Sequence, residues 1–402
     1  MRKKLIAVAG AGLASALAIG GTAFADPSGT GNQTGPFTLV GVGSDTIQDV
    51  WNGFASSIDA GTANKIASYN AFATTNTLPN NWGHQSAGCN GLPRPNGSGA
   101  GRAALVSSLN NAATTVTQPD GTTSASVNYN GCVDFSRSSS LDITTADGGT
   151  PLTYVPFADD AMTFAVTRGS TGAPRTLSKV DLQQIYQCNA NYVGTGTNNY
   201  SGGTGGTNPQ GWAIVPVLPQ AGSGTRKYWE QQMGITDANV VSGTYACILN
   251  GQYLRNGTLH VAEEHTSDFL LDTWLTPFSI PNFLNQSTGV VGDRRGNGVL
   301  GVVAGTGDIA FSNGGAGTPY GSLTEPFRAP STFNYQRHVY NVVPRVRIDS
   351  AAPGYNGADP LTTAYTSVFG PSGSVCSDTA NLTKYHFLPL AGVTCGDITQ
   401  HT

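Results

Sequence analysis

Four short loops rich in glycine, serine and threonine carry the residue types that could bind an anion. Glycine lets the backbone approach a ligand closely, and the hydroxyl groups of serine and threonine add donors. Three of the loops precede the apolar pattern of a helix, whose first turn exposes unpaired N–H groups and the positive end of the helix dipole. Such a helix start binds anions without a lysine. The loops are Gly43–Thr46, Gly97–Arg102, Ser136–Ser140 and Gly222–Arg226.

A single loop of this kind is weak evidence, because serine or threonine at a helix start usually serves only as an N-cap. A micromolar site needs about −8 kcal/mol. One charged hydrogen bond supplies only about 1.5–3 kcal/mol. We therefore expect several of these loops to converge on one ligand.

Two of the loops belong to strand–loop–helix units. Residues 37–40 read as a buried strand, and Ile47, Val50, Trp51 and Phe54 follow at the i, i+3, i+4, i+7 spacing of a helix. Residues 213–233 repeat this order. Strands that alternate with helices indicate α/β lobes, with ligand sites at the carboxyl ends of the strands. The loops converge if the two units lie in different lobes that face one cleft.

Other segments predict further elements of these lobes. Ser178 and Asp181 have the spacing of a capping box that opens a helix. Leu152–Pro156 and the alternating Met162–Val166 read as two strands, and residues 298–312 and 335–348 read as later strands.

Enzymatic chemistry has weaker support. The sequence lacks the third glycine of a dinucleotide fingerprint, a phosphate-binding GxxxxGK[ST] loop and a complete GxSxG motif. The run Glu263, Glu264 and His265 could supply acid and base groups, but adjacent charges on a polar loop are more often solvated. We expect no catalytic residues, no cofactor and no bound metal.

The N-terminus has the pattern of a secretory signal peptide. A basic start at residues 2–4 precedes an uncharged stretch at residues 5–19, and Ala23–Ala25 forms an A-x-A-like cleavage site before Asp26. A membrane anchor is the alternative, but the apolar stretch is short and rich in glycine. We expect a secreted or periplasmic protein cleaved near Ala25, without a lipid-anchor cysteine and without membrane insertion.

The six cysteines all lie in the exported part. An even number in an oxidising compartment favours disulfides, and no CxxC or HxxxH spacing supports a zinc site. Pairing between sequence neighbours keeps each bridge local, which gives Cys89–Cys132, Cys188–Cys247 and Cys376–Cys395.

Charge is sparse along the chain. Only 11% of residues are charged and the formal net charge is −4. This balance argues against a nucleic-acid surface, which needs clustered lysine and arginine. It also means that an anion would have to be held by local dipoles.

The ordered loops resemble the phosphate-binding proteins of ABC importers, which have the class II periplasmic-binding fold. The likeness is carried by residues 41–46, 97–105, 133–141, 177–186 and 220–229. It implies a two-lobe α/β protein with a hinge and an interlobe cleft that takes inorganic phosphate or a related oxyanion, with an ABC importer permease as partner. It implies ligand-binding roles for Asp45, Thr46, Ser98, Ser223, Gly224 and Thr225. Together with their neighbours in the four loops, the candidate ligand-binding residues are Ser44, Asp45, Thr46, Ser98, Gly99, Arg102, Arg137, Ser138, Ser139, Gly222, Ser223, Gly224, Thr225 and Arg226.

Two positions depart from the family pattern. Ser139 stands where family members often carry an Asp that accepts the phosphate's proton, and Pro219 stands where they place an Arg. We therefore predict that Asp45 replaces the proton acceptor. The missing cation would come from Arg102, Arg137 or Arg226.

The expected organisation is a signal peptide at 1–25, a flexible stretch at 26–36, one lobe from 37–157 plus 305–402, and a second lobe from 158–304, as a monomer. Two other functions stay open. One is a secreted phosphoester hydrolase that uses the same anion pocket. The other is a surface or adhesion protein with a vestigial pocket.

Overall fold

The computed structural model describes residues 26, 37–62, 65–73, 75–79, 89–143, 149–170, 172–193, 214–255, 258–304 and 336–402. The predicted signal peptide and most of the predicted flexible stretch lie outside these ranges. The strands are β1 Leu39–Gly43, β2 Ile66–Ser68, β3 Phe135–Ser138, β4 Leu152–Thr167, β5 Thr176–Ser178, β6 Val215–Leu218, β7 Leu249–Asn250, β8 Gln252–Arg255, β9 Thr258–Val261, β10 Trp274–Ser279, β11 Gly298–Leu300, β12 Val302–Ala304 and β13 Gln336–Pro344.

The helices lie between these strands and after the last of them. They are α1 Gln48–Gly61, α2 Ser98–Asn110, α3 Lys179–Tyr186, α4 Ala190–Val193, α5 Gly224–Met233, α6 Asp237–Val241, α7 Ile280–Ser287, α8 Pro360–Phe369, α9 Ser374–Ser377 and α10 Thr379–Lys384, with a 3-10 turn at Arg345–Arg347.

Strand β4 joins two α/β lobes. Its first part, residues 152–161, pairs antiparallel with β13, and its last part, residues 162–166, pairs antiparallel with β10. The sheet order in lobe 1 is β2-β1-β3-β13-β4, with β1 parallel to both neighbours. In lobe 2 the order is β4-β10-β6-β7, with β6 parallel to both neighbours. This arrangement confirms the predicted two-lobe α/β fold.

Each lobe has its own buried apolar core. In lobe 1 the predicted stripe of α1 packs against Phe135 and Phe157, and the C-terminal helices add Val368 and Phe369. In lobe 2 a separate core surrounds Trp229 of α5 and Tyr186 of α3. The C-terminal segment, which has no counterpart in the resemblance, therefore completes the core of lobe 1.

One local prediction, the capping box, agrees in detail with the structure, whereas the strand assignments differ from it in three places. The capping box at Ser178 and Asp181 opens α3 with both reciprocal hydrogen bonds. The two strands predicted at 152–156 and 162–166 are one 16-residue strand, β4. The predicted 298–312 strand is split into β11 and β12, and residues 305–312 lie outside the described part. The predicted 335–348 strand ends at Pro344 and continues as the 3-10 turn.

All three disulfides predicted by sequence-neighbour pairing are present: Cys89–Cys132, Cys188–Cys247 and Cys376–Cys395. They close loops in lobe 1, lobe 2 and the C-terminal segment. Among the helices of the described ranges, none is long and apolar enough to cross a bilayer.

The predicted lobe boundary at residues 157/158 lies within β4. Along that strand the pairing partner changes from β13 to β10 between Ala161 and Met162. The exact limits of the two lobes stay a prediction.

Candidate functional site between the lobes

The loops that open α2 and α5 touch each other across the two lobes. The Gly99 N–H donates to the Gly222 carbonyl at 3.1 Å. A Cβ at Gly224 would lie 2.4 Å from both the Ser98 Oγ and the Ser139 Oγ. Only glycine at position 224 allows this approach, so the first turns of two helices from different lobes meet at one place.

Three serines of lobe 1 form a buried group at this contact, here called the serine cluster: Ser44, Ser98 and Ser139. The Ser44 Oγ donates to the Ser139 Oγ at 3.1 Å, and the Ser98 and Ser139 Oγ atoms lie 3.4 Å apart. The Ser139 N–H donates to the Ser98 Oγ at 3.1 Å. Three separate loops therefore bring hydroxyl groups together at the lobe boundary.

A buried guanidinium lies at the same boundary. Arg337 of β13, only 5% exposed, forms an ion pair of 2.6 Å with Asp160 of β4. The second carboxylate oxygen of Asp160 accepts from the Ser279 Oγ at 2.7 Å. The Arg337 Nη2 also donates to the Thr225 Oγ1 at 3.0 Å, whereas its Nη1 has no partner among the described residues. We call Arg337, Asp160 and Thr225 the arginine cluster.

Thr46 connects the lobes at this point. Its Oγ1, from the loop before α1, lies 3.2 Å from the Thr225 Oγ1 of α5. The backbone carbonyl of Thr46 accepts a hydrogen bond of 2.8 Å from the side chain of Asn282 on α7. A chain of hydrogen bonds therefore runs from Arg337 through the Thr225 hydroxyl of lobe 2 to the Thr46 hydroxyl of lobe 1.

Besides Thr225, Thr46 contacts a group of titratable residues, here called the acid cluster: Asp45, Glu264 and His265. The Thr46 Oγ1 lies 3.3 Å from the Glu264 Oε2 and 3.1 Å from the His265 Nε2. Each of the three residues is at most 2% exposed. The interpretation of Glu263, Glu264 and His265 as a solvated loop was wrong, because the contact with lobe 1 buries them.

Burial shifts the protonation of these groups. Burial, followed by repulsion from Glu264, raises the pKa of Asp45 well above its usual value. The same two causes raise the pKa of Glu263 to about 8, although the Asn96 side chain donates to it at 2.7 Å. Burial lowers the pKa of His265 to about 3, so that its imidazole is neutral. Burial opposes ionisation of Glu264 as well, but a hydrogen bond with Asp45 and the nearby His265 lower its pKa. The negative charge of the acid cluster therefore lies on Glu264, and the Asp45 carboxyl group favours a proton.

The three arginines named from the sequence have other partners. Arg137 donates to the backbone carbonyls of residues 41, 43, 44 and 69. Arg102 pairs with Asp142 at 2.6 Å. Arg226 pairs with Glu230 and Asp237. In the described chain the guanidinium that reaches the interlobe hydroxyls is that of Arg337, which the sequence analysis did not single out.

The remaining predicted residues divide between the buried groups and the surface side. The Ser223 Oγ is the N-cap of α5 and accepts from the Arg226 N–H, so the simple capping role accounts for it. Ser138 and Ser140 line a pocket of about 410 Å³ between α2 and α5, together with Gly99, Arg102 and Gly222. Ser139, which lies between them, belongs to the serine cluster.

The strand periodicity of the sequence could have identified Arg337 and Asp160 as buried charges. Arg337 alternates in phase with Val339 and Val343 of the lobe 1 core. Asp160 alternates in phase with Met162 and Phe164 of the lobe 2 core. A charge at an inward-facing strand position needs a partner, and two such positions in one sequence suggest a pair.

The fold and the site together define a two-lobed α/β protein with a buried polar contact between its lobes. No known family model and no curated protein matches the chain. Solved structures that are similar to it include a protein described as a phosphate ABC transporter substrate-binding protein, with bound phosphate, from Clostridium perfringens (12% identity, TM-score 0.46, 88% of this chain and 99% of that one).

Two further solved structures have comparable similarity. One is an ABC-type phosphate transport receptor from Vibrio cholerae (13% identity, TM-score 0.43, 88% of this chain and 100% of that one). The other is a human phosphate binding apolipoprotein (14% identity, TM-score 0.44, 88% and 91%). The first two are the class of protein that the loop sequences resemble.

Proposed function

We propose that this chain is a secreted solute-binding protein that closes its two lobes over a small oxyanion, with inorganic phosphate the leading candidate. The observation that carries the proposal is the buried Arg337 guanidinium, whose Nη1 has no partner among the described residues and which lies among hydroxyl groups from both lobes. A buried cation beside such donors favours a tetrahedral oxyanion over a neutral solute.

The magnitudes are consistent with a tight site. Arg337, Thr46, Thr225 and the serine cluster supply one cationic and several neutral donors, and α2 and α5 add the N–H groups of their first turns. At about 1.5–3 kcal/mol for each hydrogen bond to a charged group, three to five of them reach the roughly −8 kcal/mol of micromolar binding.

The role of Asp45 as the acceptor of the phosphate's proton stays a prediction. Asp45 is buried beside Thr46, whose hydroxyl contacts both the arginine cluster and the acid cluster. A carboxylate at this place would disfavour fully ionised sulfate more than protonated phosphate. Asp45→Asn should therefore narrow the preference for phosphate over sulfate, and an unchanged preference would remove Asp45 from the anion site.

Secretion and delivery to an ABC importer are part of the same proposal. The N-terminal pattern at residues 1–25 supports export, and three disulfides are typical of an oxidising compartment. Pull-down of a phosphate importer permease by the ligand-loaded protein would test the delivery step.

The central test is calorimetry of residues 26–402 with phosphate, sulfate and arsenate. We expect saturable phosphate binding that Arg337→Met weakens by more than about 100-fold, because two charged hydrogen bonds contribute at least about 3 kcal/mol. Arg102→Met is the matched control, because the Arg102 guanidinium pairs with Asp142 in the pocket between α2 and α5. The proposal fails if Arg102→Met abolishes binding and Arg337→Met does not.

The same samples distinguish the alternatives. A phosphoester hydrolase would turn over p-nitrophenyl phosphate, and a surface protein with a vestigial pocket would show no saturable phosphate uptake in equilibrium dialysis. Either result would replace the proposed function.

A further inference from the structure

Beyond the role predicted for Asp45, the acid cluster has a geometry that the oxyanion proposal does not use. The three ligand-type atoms of Asp45, Glu264 and His265 all lie within 4.8 Å of one another. The His265 Nε2 is 3.6 Å from the Glu264 Oε2 and 3.9 Å from the Asp45 Oδ2. The Thr46 Oγ1 lies 3.1 Å from the His265 Nε2 and 3.3 Å from the Glu264 Oε2.

These separations suit a tetrahedral metal centre. Ligands at the usual zinc–nitrogen and zinc–oxygen distances of about 2.0–2.2 Å are about 3.4 Å apart when they are arranged tetrahedrally. The four separations, of 3.1–3.9 Å, scatter around that value, with Thr46 at the fourth corner. One imidazole nitrogen and two carboxylates are ligands that zinc accepts readily, and the neutral imidazole is the form that binds metals.

The charge of the cluster points the same way. Apart from the neighbouring Glu264 carboxyl group, no described residue forms a hydrogen bond with the Asp45 carboxylate, although Asp45 is only 2% exposed. Glu264 and Glu263 face it, and Arg294 and Arg337 act on the cluster only through space. A buried, uncompensated carboxylate is costly, so a shared proton or a bound cation must reduce its charge.

The surrounding structure holds these ligands in place from both lobes. Asp45 and Thr46 belong to lobe 1, whereas Glu264 and His265 belong to lobe 2. Helix α7 anchors both sides: Asn282 donates to the Thr46 carbonyl and Gln286 donates to the His265 carbonyl at 2.7 Å. His265 itself has a φ of 61°, a conformation that non-glycine residues rarely adopt.

We propose that Asp45, Glu264 and His265 bind one divalent cation of the zinc type, with the Thr46 hydroxyl beside it, and that this cation joins the two lobes. The site is complete only when the lobes are closed, because each lobe supplies some of the ligands. Opening of the lobes gives the cation its path of entry. The inference goes beyond the proposed function and does not depend on phosphate being the solute.

The test is titration of chelator-treated protein, residues 26–402, with ZnCl₂ and CoCl₂ in a phosphate-free buffer. We expect one ion per chain, raised thermal stability, and the visible absorption of tetrahedral Co²⁺. His265→Gln and Asp45→Asn should each weaken binding by at least about tenfold. Glu263→Gln is the matched control from the same buried loop, and its Asn96 contact lies outside the proposed ligands.

Two outcomes would overturn the metal site. Equal binding by the wild type and both variants would assign the ion to other histidines. Absence of binding, with the variants folded by circular dichroism, would mean that a proton alone reduces the charge of the cluster. A separate phosphate titration of the metal-free protein keeps the two proposals distinct, since phosphate binding without metal would leave the oxyanion site standing.

Discussion

Two buried polar groups meet at Thr46, and they differ in how their charges are balanced. In the arginine cluster, Arg337 and Asp160 neutralise each other, and both carboxylate oxygens of Asp160 are used. In the acid cluster, the partner that the described residues give the Asp45 carboxylate is a second carboxyl group, that of Glu264. The charges of the first group are balanced within the protein, whereas the second requires a proton or a cation from outside.

Because of this difference, we expect the arginine cluster to contribute to solute binding and the acid cluster to control closure of the lobes. The paired cluster can present a fixed positive nitrogen to a solute at little cost, because Asp160 already holds the guanidinium in place. The unpaired cluster opposes closure of the lobes until its charge is reduced. Substitutions that remove one charge at a time should therefore have opposite effects on stability in the two regions.

The largest effect is expected when the paired cluster is broken. Arg337→Met leaves Asp160 as an unpaired buried charge, which should lower the free energy of unfolding by about 3–5 kcal/mol. The double variant Arg337→Met with Asp160→Asn removes both charges and should recover a large part of that loss. Urea unfolding of the single and double variants measures this. A double variant that is less stable than the single one would contradict the charge-pair explanation.

The second effect concerns the contact between the lobes. Gly224→Ala places a methyl group 2.4 Å from two hydroxyl oxygens of the other lobe. Overpacking of this kind costs roughly 1–3 kcal/mol, so phosphate affinity should fall about 10- to 100-fold. Calorimetry measures the affinity, and small-angle scattering measures whether the lobes stay open.

Gly61→Ala is the control for that variant, because nothing lies within 4 Å of its added Cβ. It should bind phosphate like the wild type. Unchanged affinity in Gly224→Ala would show that the solute does not need the close approach of α2 and α5.

A third effect tests the unpaired cluster directly. In metal-free protein, Asp45→Asn removes a buried carboxylate that lies against Glu264, so the free energy of unfolding should rise by about 1–2 kcal/mol. Asp142→Asn is the comparison, because Asp142 pairs with Arg102 and Lys227 and its loss should not stabilise the fold. Urea unfolding of both variants measures whether the free energy of unfolding rises or falls. A destabilised Asp45→Asn would mean that the carboxylate is compensated.

Local patterns in the sequence predicted much of the fold. The stripe of α1, the capping box of α3 and the pairing of the cysteines all depend on residues that are near in sequence or on simple neighbour rules. The convergence of loops was inferred from the repeated strand–loop–helix order. The structure brings the loops that open α2 and α5 into contact across the lobes, and it groups Ser44, Ser98 and Ser139 on the lobe 1 side of that contact. That these loops, with Ser223, share one ligand stays a prediction.

The parts that the sequence did not predict depend on contacts between distant segments. Arg337 and Asp160 are 177 positions apart, and only the pairing of β13 with β4 brings them together. Glu263 is buried by a contact with Asn96, 167 positions earlier. A run of charges reads as solvated unless the opposing lobe is known, so local composition gave the wrong environment for residues 263–265.

The smallest effect is expected at Glu230, a buried carboxylate that is paired with an arginine but is still shifted toward its protonated form. Glu230 pairs with Arg226 at 2.9 Å, yet burial raises its pKa from 4.5 to about 7. A raised native pKa means that the stabilising, protonated form is complete below pH 4.5 and is lost as the pH rises through 7. Glu230→Gln should remove this loss, so its stability relative to the wild type should increase by on the order of 1 kcal/mol between pH 5 and 8. Thermal unfolding across that range measures the difference, and a difference independent of pH would show that the Arg226 pair keeps Glu230 ionised throughout.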